Sequence, residues 1–170
     1  MFTLKLMIPL LIASSLSATE MHQVTYGWVE HGSILPSNTA LDMKLDTGAE
    51  SSSIDANNID LYIKNHKKWV KFNVEIKNKD TGETTSIPYN LPVSRKVKIS
   101  GAGGEDHRSV VSLDICMGGV ILENEEFTLA NRSNKIYPAL IGRNTLQHMG
   151  ALVDSSSKYL KSGSCTKTKK

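Results

Sequence analysis

Apolar and polar residues alternate one by one through much of this chain, and that period of two narrows the folds open to it. Between Trp69 and Lys77, Val70, Phe72, Val74 and Ile76 alternate with Lys71, Asn73, Glu75 and Lys77. This is the pattern of a strand with one face in a core and the other in water. The same pattern carries Leu41, Met43 and Leu45 against Asp42, Lys44 and Asp46. Glycine turns break the runs at short intervals, at Thr47-Gly48, at 78–82, at Gly101-Ala102-Gly103-Gly104 and at Gly118-Gly119. Many short strands joined this way specify a closed or strongly folded all-β domain.

The remaining elements follow from the same signals. A short strand is expected over 24–29, with a turn at Glu30-His31-Gly32-Ser33. The polar stretch 50–55 is expected to re-enter the fold beneath the loop that follows Asp46. Residues 84–93 read as an edge strand, because Pro88 and Pro92 cannot donate to a ladder. The runs 97–99 and 107–115 form a hairpin around the glycines 101–104, residues 120–130 return, and 137–142 make a short apolar strand. One helix is predicted from Arg143 to Met149, with Leu146 and Met149 inward and Gly150 ending it. A last strand lies at 151–153.

With 170 residues, the chain suits one domain with extended ends. The formal charge of +3 misrepresents the body. Six of the 20 basic residues are Lys5, Lys158, Lys161, Lys167, Lys169 and Lys170, so the stretch 18–157 sets fourteen against all 17 acidic residues and is net acidic by three. A folded basic face for nucleic acid is therefore not expected. Residues 1–17 read as an export signal: Lys5, an apolar run from Leu6 to Ala13, and small residues before Ala18. That run is too short for a comfortable membrane span, and no cysteine follows it to carry a lipid, so no stable membrane anchor is expected. The division is then a leader over 1–17, a domain over 18–160 and a basic, disordered tail over 161–170. In an exported protein Cys116 and Cys165 either join as a disulfide or stay a buried thiol and a free tail residue; two cysteines leave both open.

Two motifs carry the chemistry. The first is Asp46-Thr47-Gly48-Ala49-Glu50, where a carboxylate leaves the end of a strand on the face away from the apolar residues, followed by a hydroxyl and glycine N–H groups able to hold it. Alone, it reads better as an Asx-type turn at the end of an ordinary strand. The second is Ala139-Leu140-Ile141-Gly142-Arg143-Asn144, an apolar strand and glycine opening into a helix. In this order, with the glycine hairpin 101–104 between them, they resemble the retropepsin family of single-lobed aspartic peptidases. Gly27-Trp28-Val29-Glu30 and Asn131-Arg132 narrow the resemblance to a bacterial subgroup that has been labelled "ATP-dependent zinc protease" and is associated with ATP-grasp peptide ligases. It covers roughly residues 24–160.

The resemblance implies a single-lobed acid-protease barrel with one short C-terminal helix, active as a homodimer. Asp46 of each subunit would meet at the two-fold axis and share a proton. Thr47 would brace the pair, Gly48 would admit the substrate backbone, and Ala49, lacking a hydroxyl, would extend activity toward neutral pH. Ala49, Glu50, Gly101, Gly103 and Gly104 are the expected substrate contacts, the glycines forming a flap. Ile141, Gly142 and Arg143 support the site, with Glu50 and Arg143 expected as an ion pair. The expected substrate is a peptide or amide-linked polymer, acidic ligase-made peptides among the possibilities.

The label itself has no support in the residues. No phosphate-binding glycine-lysine loop is present, and the histidines (His22, His31, His66, His107, His148) are not at metal-ligand spacing, so no metal or nucleotide cofactor is expected. A second Asp80-Thr81-Gly82 has polar neighbours and no apolar strand leading straight into it, which makes it a hairpin turn rather than a second lobe. The rival readings are an inactive peptide-binding protein on the same fold and a metal-dependent hydrolase.

Overall fold

The computed structural model describes residues 23–77, 81–101 and 104–165. The leader, most of Asn78-Lys79-Asp80-Thr81-Gly82, Gly103 and the last five residues of the basic tail lie outside the described residues. Among the described residues, the regular secondary structure is almost entirely strand. β1 (Val24–Gly27), β2 (Val29–Leu35), β3 (Thr39–Leu45) and β4 (Ser52–Asp55) come first, then β5 (Asn57–Lys64), β6 (Lys67–Lys77) and β7 (Thr84–Pro92). β8 (Arg95–Gly101), β9 (Gly104–Met117), β10 (Val120–Ala130) and β11 (Ala139–Ile141) follow, and α1 (Arg143–His148) and β12 (Ala151–Asp154) close the chain.

Six strands form a barrel in the order β10-β4-β11-β3-β2-β9, closed because β9 pairs with both β2 and β10. This is the single-lobed all-β architecture that the sequence motifs imply. β8 hangs outside the closure, pairing β9 from Arg95↔Val110 to Gly101↔Gly104. β1 and β12 run parallel as a two-stranded sheet. Alternation places Met43, Ile54, Val111, Ile115, Phe127, Ala139 and Ile141 in the barrel core, where each is at most 1% exposed. Each of these side chains except that of Ala139 contributes about 1.5–3 kcal/mol by leaving water.

β5, β6 and β7 make a separate three-stranded sheet. Val70, Phe72 and Val74 of β6 enter the shared core. Tyr89 of β7 stacks on Phe72 at 5.3 Å and reaches Thr39 Oγ1 at 2.8 Å, which pins the sheet to the start of β3. β7 is an edge, as its prolines require.

Two expectations are corrected. Glu30-His31-Gly32-Ser33 is the middle of β2, not a turn. Gly32 is there for room: a Cβ would come within 2.8 Å of the Met43 sulfur and 2.9 Å of the Cys116 carbonyl. The chain turns instead at 36–38, where Asn38 takes a positive φ of 52°. β5 was not expected at all, although Ile59, Leu61 and Ile63 alternate. They stay 45%, 46% and 64% exposed, so their spacing reflects an edge strand rather than core.

The C-terminal segment is strapped to the body. Ser157 O accepts from Trp28 N, Tyr159 N donates to Val29 O, and the N–H groups of Leu160 and Lys161 reach the Glu30 carboxylate at 3.0 and 3.1 Å. Cys165 is disulfide-bonded to Cys116 of β9. The first half of the lysine-bearing tail, residues 161–165, is thus attached to the barrel. Among the described residues, no helix is long and apolar enough to cross a membrane.

Candidate active site

Asp46 follows directly on β3, a strand held on both sides by β2 and β11. Its own N–H donates to Ile141 O at 2.9 Å, so the backbone that carries the carboxylate is fixed to the second motif. Leu41, Met43 and Leu45 are buried, and Asp42, Lys44 and Asp46 share the opposite face. Beyond Asp46 the loop folds back. Gly48 N donates to Asp46 Oδ1 at 3.0 Å, and Ala49 N donates to Asp46 O at 3.2 Å. Thr47, Gly48 and Glu50 are exposed, and Ala49 is half-buried.

The second motif locks this loop from behind. Arg143 N and Asn144 N donate to the carbonyls of Ala49 and Glu50. The Arg143 guanidinium reaches the carbonyls of Thr47 at 3.2 Å and Gly48 at 3.0 Å. Gly142 is required where it stands, because a Cβ would lie 2.5–2.8 Å from the backbone of Ser51 and Glu50. The expected Glu50–Arg143 ion pair is therefore corrected: Arg143 spends its donors on loop carbonyls, and Glu50 stays exposed.

Beneath the loop lies a buried polar chain that sequence reasoning missed. Gly142 N donates to Ser52 Oγ, Ser52 Oγ donates to Thr145 Oγ1, and Thr145 donates to Glu125 Oε2 at 2.7 Å. His148 Nδ1 closes the chain on Glu125 Oε1 at 2.9 Å. Serine and threonine in a β-rich sequence carry no periodic signal, so only the fold reveals that they meet.

The electrostatics centre on Asp46. Partial burial raises its carboxyl, but the Lys44 hydrogen bond, the Gly48 N–H and the Lys44 charge outweigh that, so it titrates below the ordinary value of 3.8. Lys44 Nζ sits 3.3 Å from Asp46 Oδ2, with side chains 41% and 28% exposed. Arg132 lies within electrostatic reach, between β10 and β11. Burial lowers the pKa of its guanidinium, while Asp55 and Asp46 support its charge. It is held by Ser53 Oγ at 3.0 Å and Tyr137 O at 3.3 Å. The sequence names Asn131-Arg132 only as part of the resemblance; its closeness to Asp46 comes from the loop's return.

Asp46, Thr47, Gly48, Ala49, Glu50, Ile141, Gly142 and Arg143 thus form one cluster. Gly101 and Gly104 stand apart at the β8–β9 tip, and among the described residues no hydrogen bond joins that tip to the Asp46 loop. The hairpin base is braced by Arg95, whose guanidinium is bidentate on Glu126 at 2.6–3.1 Å. A concavity of about 1350 Å³ with His31, Asp42, Ile76, Arg132 and Cys165 on its walls does not include Asp46. Asp46 lies instead beside the exposed Thr47 and Gly48.

Comparison with known proteins agrees with this fold. The family model described as RimB-like, retropepsin-like aspartic endopeptidase RimB, matches residues 25–163. A crystal structure of a Legionella pneumophila protein of unknown function superposes with a TM-score of 0.68 at 31% identity, covering 82% of this chain and 98% of that one. Two proteins named probable alpha-L-glutamate ligase, from Shewanella pealeana and Shewanella halifaxensis, are 30% and 31% identical over 120 and 121 residues. Each match covers 71% of this chain but 26% of the relative, so the chain spans about a quarter of their length.

Proposed function

The chain belongs to the RimB-like family of retropepsin-like aspartic endopeptidases, and on that premise we propose that it hydrolyses peptide bonds with Asp46 as its catalytic carboxylate. The observation that carries the reading is Asp46 itself, held by the Gly48 N–H at the end of a central barrel strand and partly open to solvent. The barrel needs two such groups for acid–base work. The ionised one takes a proton from water as it attacks the carbonyl carbon, and the protonated one donates to the carbonyl oxygen. Among the described residues one Asp stands in this setting, so the second comes from a copy related by a two-fold axis. The exposure of Thr47 and Gly48 beside the carboxylate supports contact there.

Substrate backbone would pass over Gly48 and Ala49, beneath the β8–β9 hairpin acting as a flap. Acidic peptides are the substrates we infer. The Shewanella proteins that share this domain carry the name of a glutamate ligase, and Lys44 and Arg132 place positive charge beside Asp46. The Cys116–Cys165 bond supports a site of action in an oxidising compartment outside the cytoplasm.

The test is mass-spectrometric cleavage of a mixed peptide library by wild type and Asp46→Asn, from acid to neutral pH, with and without chelator. The expected result is cleavage that vanishes in the variant and ignores the chelator. Equal profiles for the two proteins would overturn the reading in favour of a binding protein on a peptidase fold. Loss of cleavage in chelator would favour a metal-dependent hydrolase.

A further inference from the structure

Lys44 precedes Asp46 by two residues on the same face of β3, and its backbone is fixed between Val29 of β2 and Leu140 of β11. Only the side chain is free to move. Its ammonium meets Asp46 Oδ2 at 3.3 Å, a long contact for a charge-assisted bond, and stays 41% exposed. The other cations around Asp46 are committed elsewhere. Arg132, from the β10–β11 loop, is held by Ser53 and Tyr137. Arg143, from α1, holds the carbonyls of Thr47 and Gly48. Glu50 is exposed on the loop. Lys44 is therefore the cation best able to change partners beside the carboxylate.

An aspartic dyad works with one proton shared between two carboxylates, held there because two like charges repel. Two Lys44 ammoniums, one from each protomer, would cancel that repulsion and let both carboxylates ionise. The empty site would then lack its acid. We propose that Lys44 keeps the Asp46 pair ionised in the empty enzyme and hands it over on binding, when an anionic group of the substrate takes the ammonium and the freed dyad takes up one proton from solvent. This deepens the peptidase reading and rests on it. Lys44 acts through Asp46, as a positioning residue that couples recognition of an acidic substrate to assembly of the working protonation state. The proton gained is the one later donated to the carbonyl oxygen, so the step needs no other reactant.

The experiment compares wild type, Lys44→Met, Lys44→Gln and Lys44→Arg on two synthetic peptides that differ by Glu against Gln beside the scissile bond, with kcat/KM followed from acid to mildly alkaline pH. Removing the cation raises the pKa of the shared proton. In Lys44→Met and Lys44→Gln the alkaline limb for the Gln peptide should therefore move to higher pH by about one pH unit. The preference for the Glu peptide should fall about tenfold in both. Lys44→Arg, which keeps the charge, should restore both properties. An unmoved alkaline limb with unchanged preference in folded Lys44→Met and Lys44→Gln overturns the role of Lys44 while leaving the peptidase reading intact. Folded variants that are inactive at every pH also overturn it, since they make the ammonium essential to the chemistry. Wild type that cleaves neither peptide overturns the peptidase reading and this role with it.

Discussion

Glu30 and Asp46 are carboxylates of neighbouring strands, each accepting backbone N–H groups, yet the fold puts them to opposite uses. Glu30 is 0% exposed, and its oxygens take N–H groups from Gly27 at 2.6 Å, Leu160 at 3.0 Å and Lys161 at 3.1 Å. Three donors on one dry carboxylate make a fastener between β1, β2 and the C-terminal strap. The Asp46 carboxylate receives one backbone N–H, from Gly48, and shares its other oxygen with the half-exposed Lys44. A carboxylate with an open face and an exchangeable partner can take a water and a substrate; one with its acceptors filled cannot.

The sharpest way to break this contrast is to remove each carboxylate in turn. Asp46→Asn should cost at least a thousandfold in kcat/KM, about 4 kcal/mol, with little change in thermal melting. Glu30→Ala should do the reverse. It leaves one buried and two part-buried N–H groups without their acceptor, at about 3 kcal/mol in urea unfolding, while the folded fraction still cleaves. If Glu30→Ala removed activity without loss of stability, the division between fastener and reactive group would be wrong.

The disulfide probes the fastener from its other end. Cys116 and Cys165 are 49 residues apart, and a closed loop of that size is worth about 4 kcal/mol in the chain-entropy account. Cys116→Ser with Cys165→Ser should lower stability by that amount or less. Combined with Glu30→Ala it should cost less than the two losses added, because both hold the same strap. Strict additivity in denaturant titrations would mean that the strap is not one cooperative unit. Arg143→Ala probes the other region. It should cost about 1 kcal/mol of stability and lower kcat more than it raises KM, since its bonds to the Thr47 and Gly48 carbonyls position the loop rather than bind substrate.

The two carboxylates also differ in how well the sequence announces them. Asp46 was legible because it ends an alternating strand and is followed by Thr47-Gly48, and the match with Leu140-Ile141-Gly142-Arg143 fixed its setting. The barrel, the β8–β9 hairpin and α1 were legible for the same reason, since period and glycine breaks are local signals. Glu30 sits beside Gly32 in a stretch whose composition suggests a turn, and nothing local shows that a segment 130 residues later closes over it. Long-range satisfaction of a buried charge leaves no periodic trace. The same holds for the Ser52–Thr145–Glu125 chain and for Arg143, whose donors went to carbonyls that every residue carries rather than to the acidic neighbour that the resemblance suggested.

The smallest effect expected also separates a lone protomer from a pair. In the single chain Asp46 titrates below 3.8 in the folded state, so its ionised form favours folding. That contribution is full above the unfolded value and is lost as pH falls through the folded one. Wild type should then lose a little stability relative to Asp46→Asn only at strongly acid pH. In a two-fold pair of Lys44→Met, whose carboxylates repel with no ammonium beside them, one carboxyl holds the shared proton and the sign reverses for it, because its folded pKa rises above the unfolded value. Its contribution is full below the unfolded value and declines as pH rises through the folded one. Melting of Lys44→Met against Lys44→Met with Asp46→Asn, at low and high protein concentration, reads the difference directly. A gain for Lys44→Met on mild acidification that appears only at high concentration is the expected outcome. The same pH dependence at every concentration would mean that the carboxylates do not meet across a dissociable interface.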